Sequence, residues 1–253
     1  MASSPAPLSV WPVAGLPEVR PGDDLAALVA AALERQGPGV EDGDILVVTQ
    51  KIVSKAEGCL VDLRTVEPSP LARAWSARWD KDARVTELVL RQSARIVRID
   101  RGVIIAETHH GFVCANAGVD RSNVSPDTAT LLPPDPDASA ERLRQALQGR
   151  TGRQLGVVVS DTFGRAWREG QTNVAVGVAG VAPLRHFEGL LDPAGYELRV
   201  TQLAVADELA SAAELVMGKL DRVPVALVRG ARFALGEGSA GQLVRPPELD
   251  MFR

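Results

Sequence analysis

The sequence is poor in the residues that support disulfide, zinc and nucleophile–histidine chemistry. It contains two cysteines, Cys59 and Cys114, and three histidines among 253 residues. Two cysteines do not make a disulfide framework, and no Cys/His cluster of the kind that binds zinc is present. The hydrolase motif GxSxG is absent, and no Ser-His-Asp set is convincing. Both cysteines have apolar surroundings, so we predict that they are buried and inert.

Long apolar runs and a strong charge imbalance are also missing. No run approaches the ~20 residues of a membrane span. The N-terminal segment MASSPAPLSV lacks the basic and apolar regions of a signal peptide. We therefore expect a cytoplasmic protein with no membrane partner. The formal net charge of −4 argues against a nucleic-acid partner, so an anionic ligand would need local arginines or a metal ion.

The usual nucleotide-binding motifs are lacking. No GxxxxGK[ST] occurs, which excludes a P-loop. The segment GEGSAG at 236–241 matches GxGxxG, but the dinucleotide fingerprint needs a strand before it and a helix after it. Pro246 and Pro247 follow instead, and no acidic residue lies ~20 positions further on. We interpret these glycines as a flexible turn and predict no Rossmann fingerprint.

The apolar content of 45% is sufficient for a large core. Single strands alternate with helices too irregularly for a Rossmann count, so we predict an α+β fold with mixed sheets and helices in two lobes. Two short patterns predict local structure. Residues 68–98 are predicted to be helical, with Trp75 and Trp79 forming a core stripe. Adjacent His109 and His110 could not share a metal on a strand, so a turn is predicted there.

The stretch VVVSDTFGRAWREGQTNVAVG, at 157–177, carries the strongest chemical signal. Its three valines predict a strand buried on both faces, ending at Ser160, Asp161 and Thr162. A polar loop with Arg165 and Arg168 is expected to follow. Asp120 likewise lies just past an apolar strand, and such oxygen-rich positions suit Mg²⁺ or Mn²⁺. A polar loop serving solubility alone is the alternative.

Five segments resemble one known family, the coenzyme F420-0:γ-glutamyl ligases, in which F420 denotes a deazaflavin hydride carrier. They follow the order of the family and extend the resemblance from about Val13 to Arg245. The segments read DGDILVVTQKIVSKAEG, ANAGVDRSNV, VVVSDTFGRAWREGQTNVAVG, DPAGYELRVTQLAVADELASAAELVMGK and PVALVRG.

The resemblance implies a two-metal site and a nucleotide site without a P-loop. Asp120 and Asp161 would be ligands of one metal ion, and Thr162 of the second. Lys219 departs from the family pattern, because a protonated lysine cannot ligate a metal, and is expected to touch a phosphate. The GTP site would comprise Leu16, Pro17, Glu18, Val19, Gln50, Lys55, Asn123 and the segment 217–224 with Met217, Gly218 and Lys219.

The implied reaction adds L-glutamate to the carboxylate of coenzyme F420-0, and then adds further γ-linked glutamates. It would use GTP, form an acyl phosphate and release GDP and phosphate. Two Mg²⁺ or Mn²⁺ ions are implied as cofactors, and K⁺ is a possible further one. No general base is identified, but Arg165, Arg168 and Lys55 are candidates for stabilising charge. A non-catalytic nucleotide- or deazaflavin-binding protein and a metal-dependent phosphohydrolase are the alternatives.

The resemblance further implies a homodimer and one ligase domain over 1–253, which two intertwined subdomains could share. Apolar stretches such as 223–228 are expected to supply the subunit interface. Some relatives carry an additional domain resembling FMN-dependent nitroreductases. No segment of this sequence is left for such a domain, so no FMN is expected to bind.

Overall fold

A computed structural model describes residues 7–231 and 236–251. The strands are β1 Ser9–Pro12, β2 Ile45–Thr49, β3 Leu60–Asp62, β4 Ser93–Asp100, β5 Val103–Thr108, β6 Val113–Ala115, β7 Thr128–Thr130, β8 Gly156–Arg165, β9 Arg168–Ala179, β10 Arg185–His186, β11 Gln202–Leu203 and β12 Val225–Arg229. The helices are α1 Leu25–Gln36, α2 Gln50–Ala56, α3 Pro70–Trp79, α4 Ala83–Gln92, α5 Pro136–Thr151 and α6 Val205–Met217.

A five-stranded mixed sheet forms the centre of the fold, in the order β1-β12-β2-β8-β9. Only β2 and β8 run parallel, and this pairing places Thr49 beside Ser160 at the carboxyl ends of both strands. Smaller sheets are formed by β4-β5-β6, β3-β7 and β10-β11. The combination of helices with mixed sheets confirms the predicted α+β class.

Both faces of the central sheet are buried, because successive side chains of a strand point to opposite faces. In β2, Leu46 and Val48 pack in a core shared with α1 and α5. Ile45 and Val47 pack in a second core, which α6 covers. Val157, Val158 and Val159 in β8 divide between the same two cores, which confirms the prediction of a strand buried on both faces.

Local signals explain where the covering helices begin and end. Asp24 caps α1 by accepting a hydrogen bond from the N–H of Ala27 at 2.9 Å. Asp135 caps α5 in the same way through Ala138, with Pro136 in the first turn, where its missing N–H is harmless. Gly152 ends α5 in a left-handed conformation, with φ of 67°.

The prediction of a continuous helix over 68–98 is wrong. Asp80 adopts a left-handed conformation and ends α3, and Asp82 caps a new helix, α4. From Ser93 onward the chain forms strand β4, because its backbone pairs with that of β5. This region has its own core, against which Trp75 packs. Trp79 is half-buried, so the predicted tryptophan stripe is only partly a core feature.

One further prediction requires correction at the carboxyl ends of β2 and β8. After β2 the chain forms helix α2, whose Ile52 and Val53 pack into the core. Strand β8 does not stop at Ser160–Thr162. It continues to Arg165 and pairs with β9 in a hairpin, since Thr162 and Asn173 are cross-strand partners.

The stretch 223–228, which was expected to supply a subunit interface, lies largely inside the central sheet. Strand β12 occupies the sheet between β1 and β2, and Val225 to Val228 are fully buried. This stretch is therefore unavailable to another subunit, and that part of the prediction is wrong. Within the described ranges, none of the helices has the length and apolar character needed to cross a membrane.

Candidate functional site

A cleft of about 900 Å³ opens where β2 and β8 end. Parallel strands direct their carboxyl ends to one edge of a sheet, where ligands commonly bind. The residues predicted for the metal and nucleotide sites line this cleft, except Asp221 of the segment 217–224. These residues are Leu16, Pro17, Glu18, Val19, Gln50, Lys55, Asn123, Asp120, Asp161, Thr162, Met217, Gly218 and Lys219.

Two carboxylates, Asp161 and Asp120, share one wall of the cleft. Burial is the main cause that raises the pKa of Asp161 to about 6, and the negative charge of Asp120 contributes to this rise. The N–H of Thr162, which donates to Asp161 Oδ1 at 2.8 Å, opposes it. Burial also disfavours the charged form of Asp120, but hydrogen bonds from Lys51 and from the N–H of Ser122 outweigh burial and lower its pKa. The wall therefore holds two carboxylates whose charges repel each other.

Lys51 balances part of this charge, although it was not among the residues predicted for the site. Its Nζ atom lies 2.5 Å from Asp120 Oδ2 and donates to the carbonyl oxygen of Ser122 at 3.0 Å. Lys51 lies in the first turn of α2, directly after β2, and lines the cleft. The useful sequence signal was the pair of lysines that follows the strand.

The acidic wall fits a divalent cation. In the described part of the chain, no three His, Cys, Asp or Glu side chains come together as a metal-binding group. Asp120 and Asp161 nevertheless offer hard oxygen donors, and a cation would relieve their repulsion. Thr162 directly follows Asp161 in the chain and lines the same cleft. A metal held here would complete its coordination with water or phosphate oxygens, as Mg²⁺ commonly does.

Next to Asp161, the hairpin and the end of α6 build a further part of the cleft. The Thr162 hydroxyl donates to Asn173 Oδ1 at 2.8 Å, and the N–H of Asn173 donates to Glu214 Oε2 at 2.9 Å. Lys219 Nζ lies 3.4 Å from Thr162 Oγ1. Ser160 is buried beside this part of the cleft, and its hydroxyl has no hydrogen-bond partner among the described residues.

Lys55 joins three of the predicted nucleotide-binding segments. This buried lysine donates to Glu18 Oε1 at 2.5 Å and to the carbonyl oxygen of Asn123 at 2.7 Å. Asn123 holds a left-handed conformation, with φ of 56°, which asparagine tolerates better than most residues. Gln50 is buried and accepts a hydrogen bond from Ser54. The ammonium group of Lys55 therefore holds the segments of Glu18 and Asn123 together on one side of the cleft.

Arg165 and Arg168 are not brought to the cleft. Both lie in the exposed tip of the hairpin, where they occupy opposite backbone positions of β8 and β9. Arg165 donates to the carbonyl oxygens of Glu169 and Gly170. Of the three charge-stabilising candidates, only Lys55 lines the cleft of this chain.

The histidines and cysteines also lack a shared site. His109 and His110 lie in the predicted turn, and their Nε2 atoms contact the separate carbonyl oxygens of Arg91 and Pro133. Cys114 is buried and lines the cleft, and burial raises the pKa of its thiol to about 12. Cys59 is only partly buried, which corrects the prediction for that residue, although burial raises its thiol pKa as well.

Comparison with known proteins agrees with these features. A family model described as F420-0:Gamma-glutamyl ligase matches residues 15–230. Coenzyme F420:L-glutamate ligase from Methanothermobacter thermautotrophicus is 48% identical over 97% of this chain and 99% of its own length. The proteins of the same description from Methanopyrus kandleri and Archaeoglobus fulgidus are 45% and 40% identical, each over 97% of this chain and at least 96% of their own lengths.

Proposed function

Because this chain belongs to the F420-0:γ-glutamyl ligase family, we propose that it joins L-glutamate to the carboxylate of coenzyme F420-0 and then adds further γ-linked glutamates. One observation supports this proposal more than any other. A single cleft collects two repelling carboxylates on one wall and three lysines, Lys51, Lys55 and Lys219. Such a distribution suits a ligand that carries phosphates and a metal ion.

GTP is the proposed source of energy for the reaction. A carboxylate does not react with an amine at neutral pH, so it must first be activated. Transfer of the γ-phosphoryl group of GTP to the acceptor gives an acyl phosphate, which the amine of glutamate attacks as phosphate leaves. GDP and phosphate are the remaining products. Phosphoryl transfer depends on positioning and on neutralising negative charge, which the basic side chains of the cleft would supply.

Asp120 and Asp161 would hold one divalent cation, Mg²⁺ or Mn²⁺, and the Thr162 hydroxyl would help to hold a second. When bound, such ions neutralise charge on the phosphoryl group. Lys219 would bind phosphate oxygens near Thr162, to which it already lies close. Lys55 would keep the segments carrying Glu18 and Asn123 in place around the nucleotide.

The product mass tests this proposal. Purified protein is incubated with GTP, Mn²⁺, L-glutamate and F420-0, and the products are read by mass spectrometry. Addition of one or more glutamate units is expected. Release of GDP without glutamate addition would support a phosphohydrolase, and binding without any turnover would support a non-catalytic protein. A parallel reaction with ATP tests the preference for guanine, since comparable rates with both nucleotides would contradict it.

We also propose a homodimer whose interface uses the exposed apolar residues between β10 and β11 and near the end of α6. These side chains are Leu190, Leu191, Tyr196, Val200, Leu215 and Leu220. Exposed apolar groups of this size favour contact with another protein surface. Light scattering at micromolar concentration is expected to give about twice the chain mass of 26.8 kDa, whereas a value near one chain mass would contradict the dimer.

A further inference from the structure

Glu214 is an acidic residue of the cleft for which the metal and nucleotide proposals provide no role. It lies in the last turn of α6, is half-buried and lines the cleft. Its Oε2 atom accepts the N–H of Asn173 at 2.9 Å. Among the described residues, no lysine, arginine or histidine forms an ion pair with it. Its negative charge is therefore uncompensated on a surface that a ligand can reach.

Protection of the sheet edge does not by itself explain Glu214. Strand β9 is the edge of the central sheet, and carboxylates accept its outward N–H groups. Asp207, on the same helix, accepts the N–H of Ala175 at 2.9 Å, and Asp137 accepts the N–H of Val178 at 2.7 Å. Neither Asp207 nor Asp137 lines the cleft. Glu214 combines the same edge contact with access to the cleft.

The groups around Glu214 indicate the kind of ligand. Through Asn173 it is connected to Thr162, and Lys219 approaches Thr162 in the same part of the cleft. Ser160 lines this part of the site as well, with a buried hydroxyl that has no partner in the described ranges. This part of the cleft thus presents a carboxylate without an ion-pair partner, an ammonium group and an unpaired hydroxyl. This set complements a small molecule with both an amino group and carboxylates.

We propose that Glu214 binds the α-amino group of the incoming L-glutamate. The inference rests on the proposed ligase function, in which GTP and the carboxylate of the acceptor are anionic. The incoming amino acid is then the organic substrate with a positive group, and an ammonium–carboxylate hydrogen bond is stronger than a neutral one. The unpaired Ser160 hydroxyl would donate to a carboxylate of the same amino acid, and Lys219, assigned above to phosphate oxygens, would add positive charge nearby. The nitrogen would thereby be held near the activated carbonyl carbon, and it would attack with its lone pair once the ammonium group has released a proton to solvent, displacing phosphate.

Glu214→Gln separates charge from shape. Glutamine can still accept the N–H of Asn173, so the sheet edge is expected to keep its hydrogen bond. The KM for L-glutamate is expected to rise about 10–100-fold, the range for loss of a charged hydrogen bond. The KM values for GTP and F420-0 should be unchanged.

Asp207→Asn is the matched control, because it alters the same type of edge contact away from the cleft. Its KM values for L-glutamate, GTP and F420-0 should all stay at wild-type level.

A partial reaction separates this inference from the ligase proposal. Hydroxylamine is a neutral nucleophile that traps acyl phosphates as hydroxamates. Because it carries no positive charge, its reaction should not depend on the carboxylate of Glu214. Wild type and Glu214→Gln should both form the F420-0 hydroxamate when glutamate is absent. If wild type forms neither hydroxamate nor glutamylated product, the ligase proposal itself fails. If wild type is active and the variant keeps its KM for glutamate, the role of Glu214 is disproved.

Two other roles for Glu214 predict different results for Glu214→Gln. If Glu214 were a metal ligand, the variant would need more Mn²⁺ to reach half its maximal rate. If Glu214 contacted the ribose, the variant would have a higher KM for GTP; either result would overturn the inference. Glu214→Asp retains the charge and is expected to recover part of the affinity for glutamate. It also provides the test if Glu214→Gln does not fold, since a folded Glu214→Asp variant with unchanged KM values for all substrates would count against an amine contact.

Discussion

Replacing Asp161 with asparagine is expected to lower the rate of glutamate addition by about 10²–10³-fold, the range seen when one charge-stabilising group is removed from an active site. Asparagine retains an oxygen that can accept the N–H of Thr162, so the local hydrogen bond and the fold should remain. The variant loses the negative charge that would hold a divalent cation beside Asp120. Asp120→Asn is expected to behave in the same way.

Mn²⁺ binding, followed by the electron paramagnetic resonance signal of the free ion, provides a second measurement that does not depend on turnover. Both aspartate variants should bind Mn²⁺ more weakly than wild type. Asp207→Asn serves as the control, because Asp207 is partly buried and bonded to the backbone but does not line the cleft. Normal turnover of Asp161→Asn at saturating Mn²⁺ would show that the metal assignment is wrong.

Asp44→Ala should lower the free energy of unfolding by about 3–5 kcal/mol, the usual effect of removing one partner from a buried ion pair. Asp44 is only 1% exposed, and it accepts two hydrogen bonds from Arg229, from Nε and Nη2, each at 2.7 Å. It also accepts the N–H of Glu41 at 2.8 Å. Without this carboxylate, the guanidinium group loses its bidentate partner at the start of β2.

Asp100→Ala provides the matched control for this effect. Its partner Arg98 approaches to 3.0 Å, but both side chains are substantially exposed, so the change should be about 0–1 kcal/mol. Chemical denaturation of both variants and wild type gives the comparison. A loss for Asp44→Ala as small as that for Asp100→Ala would mean that the buried pair does not stabilise the fold. Since Asp44 does not line the cleft, activity below the unfolding transition should be retained.

The residues of the candidate site were mostly visible in the sequence because they lie in short motifs next to strands. Asp161 and Thr162 follow a run of valines, and Asp120 follows another apolar segment. Lys51 and Glu214 were missed for a physical reason. A charged residue on a helix is usually solvated, and nothing in the local pattern distinguishes a side chain that faces solvent from one that faces a cleft.

Errors in the predicted elements have a similar origin. Residues 68–98 contain enough helix-forming residues to suggest one helix, but capping by Asp82 and pairing of β4 with β5 divide the segment. The polar residues after Asp161 suggest a loop, whereas pairing of Thr162 with Asn173 keeps the chain extended. In both places a contact between distant residues overrides the local preference.

The sequence by itself determined the α+β class, the buried valine strand of β8 and the motifs that identify the family. These depend on periodicity and on residues close together in the chain, which a linear pattern contains. Only the tertiary structure decided that one cleft receives the end of β8, the first turn of α2, the loop with Asp120 and the end of α6. The reason is that parallel pairing of β2 with β8, together with the packing of α6 on the opposite face, brings distant charges within hydrogen-bonding range.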